Sequence, residues 1–356
     1  MRDSMEEYSL HFLLERTYLR MKVKVTMQDI ADRLNISKNS VSQALSGKDG
    51  VSEETRQLII DAANEMGYIY SRGRKSTEEE VGTFAILASE FAFSKRNFFG
   101  EIYLSIEKEA AKRNKRIVIQ SIDKHSSENL ILPPILLDQS VDGILILSHI
   151  TNPYIQAVTH TGIPTVLIDH HHPDLRADSI LTNNRYAAYT AVQHLIELGH
   201  THIGFIGNIK FSPSYYERLE GYRLGLYQAG IEYNPKWVID RVIEEMDDVF
   251  NAVQALDKQP TAWFCVNDGF GFLINSVVYK LGYRIPQDVS IVSFDNGQLS
   301  RITTPLTTTM DVDLSYFGRK AVEQLFWRID HPEEPYVEIL LPSNLIVRES
   351  TQHPNA

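Results

Sequence analysis

Lys38, Asn39, Ser40, Ser42 and Gln43 fall within six residues of one another and include no carboxylate. Together they offer one cation, two amides and two hydroxyls, the groups that pair with base edges in a DNA major groove. A helix face that is merely solvated more often mixes Glu with Lys. A second set of polar residues follows apolar runs: Asp169, Asn267 with Asp268, and Asp295 with Asn296. Such acceptors and amides suit a hydroxyl-rich ligand, but Asp and Asn also cap helices and form Asx-turns. Capping is the expected role of Asp268, which opens a helical pattern; Asp169 and Asp295 stand equally between the two roles. Asp268 and Asp295 could pair as acid and base. No nucleophile elbow, Walker loop or zinc signature accompanies them, however, and Gly269-Phe-Gly271 lacks the third glycine of a dinucleotide fingerprint. Neither catalysis nor a cofactor is expected. His170, His171 and His172 are successive and would diverge on a loop, with no second ligand cluster at metal spacing, so no metal site is expected.

The elements that must carry these residues fall into two classes. Thr26 begins a capping-box pattern with Asp29, ahead of a helix whose apolar face is Ile30, Ala31 and Leu34. Asn35 and Ile36 break it, and Ser37 caps a second helix with Val41, Ala44 and Leu45 inward. Residues 46–50 form a glycine-punctuated loop. Ser52 caps a third helix, whose inward face is expected to be Leu58, Ile59, Ala62, Ala63 and Met66. Three short helices with a tight turn between the first two describe a helix-turn-helix module. From residue 81 onward, apolar runs at 81–88, 116–122, 143–147, 164–169, 202–207, 262–266 and 289–294 read as buried strands. Helix-like stretches near 98–113, 127–139, 152–161, 184–199, 215–230, 246–258 and 268–282 alternate with them. This repetition implies parallel α/β sheets in two lobes, with ligands held outside the carboxyl ends of the strands.

Composition sets the outer bounds. The 356 residues are 43% hydrophobic and 23% charged, as in a folded protein with a sizeable core. A single cysteine, Cys265, excludes an intramolecular disulfide and suits a reducing cytoplasm. No apolar run is long enough for a membrane span, and residues 10–16 lack the form of a signal peptide. The net charge of −11 is uneven: residues 21–75 carry nine Lys/Arg against seven Asp/Glu, whereas residues 76–356 carry 23 against 35. A mildly basic head precedes an acidic body.

Residues 25–68, VTMQDIADRLNISKNSVSQALSGKDGVSEETRQLIIDAANEMGY, resemble the DNA-binding head of the lactose/galactose repressor (LacI/GalR) family. GIPTVLID (162–169), ERLEGYRLGL (217–226), CVND (265–268), IPQDVSIVSFDN (285–296) and PLTTT (305–309) resemble body segments of the same repressors, in the same order. The resemblance divides the chain into a helix-turn-helix domain at 22–68, a linker at 69–80 and a two-lobed body like periplasmic sugar-binding proteins at 81–348. Residues 1–21 form an upstream extension or mis-start, and 349–356 form a tail without the tetramerising heptads of the lactose repressor.

The family pattern implies that Thr26, Ser37, Lys38, Asn39, Ser40, Ser42 and Gln43 contact DNA, with Arg72, Arg74 and Lys75 on phosphates. Where the family usually has arginine this chain has Gln43, which favours adenine over guanine. The linker has no leucine to act as a minor-groove wedge, and Gly73 disfavours its helix. In the body, Arg218 matches the arginine that binds effector oxygens, while Asn267, Asp295 and Asp169 match hydrogen-bonding positions. Phe98 or Phe99 is implied as a ligand wall or a core pair, Ser148 as a contact after the third strand, and Asp311 as a cleft residue or a cap for the helix from Asp313. His170 is placed to reach the cleft beside Asp169. The expected protein is a cytoplasmic, homodimeric repressor of a carbohydrate operon, bound to double-stranded operator DNA and controlled by a sugar or sugar phosphate. Control by a phosphorylated carrier protein and a free sugar-binding protein are the competing expectations.

Overall fold

The computed structural model describes residues 25–45, 50–66, 68, 81–90, 92, 96–147 and 150–355. These residues fall into two compact units, divided between Glu80 and Val81. In the first, α1 (Met27–Leu34), α2 (Lys38–Leu45) and α3 (Glu53–Glu65) enclose a small core of Ile30, Ala31, Val41, Leu45, Ile59 and Ala63. Local chemistry sets each helix start. Thr26 Oγ1 accepts from the Asp29 backbone N–H while Asp29 accepts from the Thr26 backbone N–H at 2.6 Å. Ser37 Oγ accepts from Ser40 N at 3.0 Å, and Ser52 Oγ from Thr55 N at 3.3 Å. Asn35 turns the chain out of α1 at φ 52°, a left-handed conformation that asparagine tolerates. Leu58, expected inward, is 56% exposed. It lies one position outside the stripe of Ile59, Ala62, Ala63 and Met66 that the core covers.

The second unit contains two six-stranded sheets. The first runs β11-β5-β4-β3-β1-β2, from β1 (Gly82–Ser89), β2 (Lys115–Ile122), β3 (Gly143–Leu147), β4 (Thr165–Ile168), β5 (Asp178–Thr182) and β11 (Glu338–Leu341). The second runs β12-β10-β9-β8-β6-β7, from β6 (Ile203–Ile206), β7 (Val238–Ile239), β8 (Ala262–Cys265), β9 (Ser290–Asp295), β10 (Thr308–Val312) and β12 (Ser343–Ile346). All neighbours are parallel except β10 and β12. In β1 the two faces enter different cores: Phe84, Ile86 and Ala88 on one side, Ala85 and Leu87 on the other. Burial on both faces is why such strands are continuous apolar runs.

Among the described residues, the α-helices of the body are α4 (Glu101–Ala111), α5 (Lys124–Glu128), α6 (Pro134–Leu137), α7 (Asn152–Thr159), α8 (Asn184–Glu197), α9 (Pro213–Gln228), α10 (Met246–Gln254), α11 (Asp268–Lys280) and α12 (Leu314–Asp330). The helix expected over 127–139 is instead two short pieces, because Pro133 and Pro134 interrupt the backbone ladder. The chain passes between the lobes three times. It crosses from β5 to α8, returns from β10 to α12, which packs on β3, β4 and β5, and crosses again between β11 and β12.

Five strands have no counterpart in the sequence reading: β5, β7, β10, β11 and β12. Each is short, polar or at an edge, so none makes an apolar run. Residues 349–355, set apart as a tail, pack on the second lobe. Ser350 is fully buried with its hydroxyl on Ile291 O, and His200 Nε2 lies 2.9 Å from Gln352 O. No helix among the described residues is long and apolar enough to cross a membrane.

Candidate functional site

Two places gather the candidate residues. On the head, Lys38 and Asn39 are exposed on the first turn of α2, where a helix entering a groove meets base edges. Thr26 and Ser37 are exposed and serve as helix caps; Ser40 Oγ lies 2.8 Å from Ser37 Oγ. Ser42 and Gln43 are half-buried, and the Gln43 amide packs against Gly50, which adopts φ +122°. A side chain at position 50 would be strained there and would press a Cβ to 3.0 Å from Gln43 Oε1. Arg56, which carried no expected role, donates from Nη1 to Ala44 O at 3.0 Å and so holds the last turn of α2. Arg72, Arg74 and Lys75 lie outside the described residues, as does Ser148.

In the body, Asp169, Asn267 and Asp295 stand at the carboxyl ends of β4, β8 and β9 and meet Ser214, Tyr215 and Arg218 of α9. Ser212 caps α9 and Pro213 occupies its first turn, which directs Ser214 and Arg218 one turn apart on one face. Ser214 Oγ donates to Asp169 Oδ1 at 2.8 Å, joining the second lobe to the first. Arg218 is 2% exposed. Its Nη1 donates to Val266 O at 2.6 Å and to Asp295 Oδ1 at 3.2 Å, and its Nε donates to Asn184 Oδ1 at 2.9 Å. The guanidinium lies over the Phe294 ring at 3.6 Å. Asn267 caps α11 by accepting from Phe270 N at 2.8 Å, while its Nδ2 donates to Tyr215 Oη and to Glu244 Oε2.

Asp295 and Asn296 both have left-handed backbones, at φ 100° and 54°. Holding non-glycine residues there costs on the order of 1–3 kcal/mol each, which the surrounding bonds must offset. Asp268 supplies several. It accepts from Gly297 N at 2.5 Å, Ser293 Oγ at 2.5 Å and Thr309 Oγ1 at 2.8 Å. The expected cap role of Asp268 therefore belongs to Asn267, and Asp268 instead holds the loop that presents Asp295. Asp311 accepts from Asn296 Nδ2 at 2.6 Å and supports the same loop; the cap of α12 is Asp313.

The histidines diverge. His170 is buried against Asn152 Oδ1 at 2.8 Å and does not reach the cleft as expected. Burial lowers its pKa to about 4, with His171 and His172 adding to the effect. His172 turns to Asp174. His171 is the one that crosses between lobes, 2.9 Å from Glu217 Oε1 on α9 and 3.0 Å from Glu338 Oε1 on β11. Glu217 also accepts from Asn184 Nδ2 at 2.9 Å, so the chain Glu338–His171–Glu217–Asn184–Arg218–Asp295 is continuous.

Electrostatics follow from this packing. Burial pushes Asp169 up to about 6 against the pull of Arg218 and Ser214, with Asp295 and Glu217 pushing the same way. Burial and Asp295 raise Asp268 to about 7. The bond to Glu217 raises His171 to about 9. Folded His171 thus binds a proton that the unfolded chain releases near pH 6.5, so its stabilising contribution is present below pH 6.5 and is lost as pH rises through 9. The ring is partly exposed, so the expected loss is about 2 kcal/mol rather than the full shift. Urea unfolding at pH 6 and pH 9.5 should register it, and His171→Gln should flatten that decline. Equal slopes for both proteins would show that the pair is energetically silent.

Phe98 and Phe99 meet edge to face at 5.0 Å. Phe99 is 5% exposed, belongs to the core and lines a cavity of about 330 Å³ with Ile86, Ala88, Tyr103 and Leu147. Phe98 is half-buried. Ser214, Glu217, Asn184, Tyr215, Glu244 and His171 had no site role in the sequence reading. The only local signal was that Ser214 and Glu217 sit one turn and one residue before Arg218.

Residues 26–71 match the model of bacterial regulatory proteins of the lacI family, and residues 192–351 match that of the periplasmic binding protein-like domain. The ribose operon repressor of Haemophilus influenzae is 30% identical over 332 residues, 91% of this chain and 98% of its own length. The HTH-type transcriptional repressor PurR of Pasteurella multocida is 28% identical over 331 residues, 92% and 98% of the two chains. Among solved structures, the complex of the transcriptional regulator CelR with cellobiose superposes with a TM-score of 0.69 at 26% identity, covering 92% of this chain and 99% of that one. The lac repressor dimer bound to operator and the anti-inducer ONPF has a TM-score of 0.67 at 23% identity over 92% and 99%, a likeness of fold.

Proposed function

Because the chain belongs to the lacI family of bacterial regulatory proteins, we propose that it represses a carbohydrate-utilisation operon and that a sugar-type effector in the interlobe cleft sets its operator affinity. The observation that carries this reading is the Ser214–Asp169 bond beside buried Arg218. The bond ties the two lobes at the point where ligand hydroxyls would compete for the same groups, so occupancy and lobe spacing are coupled. The ribose operon repressor and the cellobiose-bound regulator support a carbohydrate ligand. Asp169, Arg218, Asn267 and Asp295 are the proposed contacts, with Phe98, Phe99, Ser148 and Asp311 around them. The proposed protein is a cytoplasmic homodimer on a pseudo-palindromic operator, since one head makes too few contacts for operator specificity.

On DNA, Lys38, Asn39 and Gln43 read bases, Thr26, Ser37, Ser40 and Ser42 assist near the backbone, and Arg72, Arg74 and Lys75 contact phosphates. Titration of labelled operator and random duplex tests the head. Asn39→Ala should cost ~1–3 kcal/mol on the operator and relax preference at one position. Lys75→Ala should weaken both duplexes alike and reduce the salt dependence. Equal losses on operator and random DNA for Asn39→Ala would remove Asn39 from base reading. Repeating the wild-type operator titration with candidate sugars tests the effector arm.

A further inference from the structure

We infer that the cleft admits an unphosphorylated polyol and rejects phosphate esters; the inference rests on the effector reading above and narrows its ligand. Two of the proposed polar contacts, Arg218 and Asp169, each keep a terminal atom with no hydrogen bond among the described residues. Arg218 spends Nη1 on Val266 O and Asp295 and Nε on Asn184, which leaves Nη2. Asp169 spends Oδ1 on Ser214, which leaves Oδ2. Ser214 and Arg218 are four residues apart on one helix, so the carboxyl that Ser214 holds and the Arg218 guanidinium stand toward the same end of α9. A hydroxyl pair satisfies both at once, accepting from Arg218 and donating to Asp169. A phosphate group in that position can accept from Nη2 but, as the dianion that prevails at pH 7, has no proton to offer the carboxylate, and it would stand beside Asp169, Asp295 and Glu217.

The positive charge at this end of α9 is already answered within the protein. Arg218 faces Asp295, and His171 sits between Glu217 and Glu338. Asp169 itself is 7% exposed, and its side chain forms no ion pair among the described residues. A dianion entering the cleft would therefore meet buried carboxylates before it met a spare cation, and in a low-dielectric site that repulsion is poorly screened. This charge arrangement selects against phosphate without any steric barrier.

Calorimetry and operator titration with matched pairs test the inference on the full-length protein: D-ribose and ribose 5-phosphate, D-glucose and glucose 6-phosphate, and adenosine and adenosine monophosphate. Cellobiose is a further neutral probe. At least one neutral compound should bind and shift operator affinity, with its phosphate ester at least 100-fold weaker. Asp169→Asn keeps an oxygen for Ser214 but removes the charge, so it should narrow that ratio at least tenfold. A phosphate ester that binds as tightly as its parent and alters operator affinity overturns this inference while leaving effector control intact. The same holds for a ratio unchanged in Asp169→Asn. Binding by none of the probes, with the operator still bound, overturns effector control by such ligands and this inference with it.

Discussion

Replacing Arg218 by alanine is expected to destabilise the body by about 3–5 kcal/mol before any effect on ligand is considered. The side chain is nearly inaccessible and its loss removes a donor from Asp295, Val266 O and Asn184 together. Removing one member of a buried ion pair leaves the partner charge uncompensated, which costs more than the pair contributes when intact. Arg218→Ala with Asp295→Asn removes both charges and should recover part of the loss, giving a coupling of roughly 0.5–3 kcal/mol. Urea unfolding of the single variants and the double variant measures this directly. If Arg218→Ala unfolds within 1 kcal/mol of wild type, the arginine is a free ligand-binding arm rather than a keystone. This expectation changes how an inactive Arg218 variant is read: lost effector response in Arg218→Ala would mix binding with folding, and Asp169→Asn is the cleaner probe.

The second large effect should come from outside the cleft. Arg328 on α12 donates from Nε and Nη2 to the two oxygens of Asp178 at 2.8 and 2.9 Å, and from its other hydrogens to the carbonyls of Glu334 and Pro335. Asp178 also accepts from Gln324 Nε2 and from Val337 N, both at 2.9 Å. The two side chains are 4% and 0% exposed. One carboxylate thereby joins the start of β5, the last turns of α12 and the turn that delivers β11 to the sheet edge. Arg328→Leu should cost about 3–5 kcal/mol, because it leaves Asp178 charged and buried with fewer donors. For a body of this size that is a fall in Tm on the order of 10 °C. Arg328→Leu combined with Asp178→Asn should fare better than Arg328→Leu alone. A double variant that is no better would place the stability in the carbonyl contacts of Arg328 rather than in the ion pair.

What the sequence determined by itself was local. Thr26 with Asp29, Ser37 and Ser52 mark helix starts because a side-chain oxygen meets an orphan N–H three residues away, and that reach needs no tertiary partner. The buried strands at 82–89, 143–147 and 262–265 were legible because burial on both faces demands uninterrupted apolar residues. Positions such as Asp169, Asn267 and Asp295 were legible as strand-end candidates because parallel sheets place their carboxyl ends at a crevice. Their roles were not. Arg218 stood out only through family resemblance, since nothing in its spacing distinguishes it from a solvated helix arginine.

Tertiary structure decided the rest, and the reason is distance along the chain. β5 opens with a buried aspartate, a pattern that argues against a strand until Arg328, 150 residues later, supplies the charge and the donors. His171, not His170, reaches the second lobe because Glu217 and Glu338 converge on it from two elements far apart in sequence. Asp268 holds a loop rather than a helix start because Ser293, Gly297 and Thr309 surround it in space. A buried charge or amide takes its function from whichever partners the fold delivers to it. Those partners follow from strand order and lobe crossing, which no short window of residues contains.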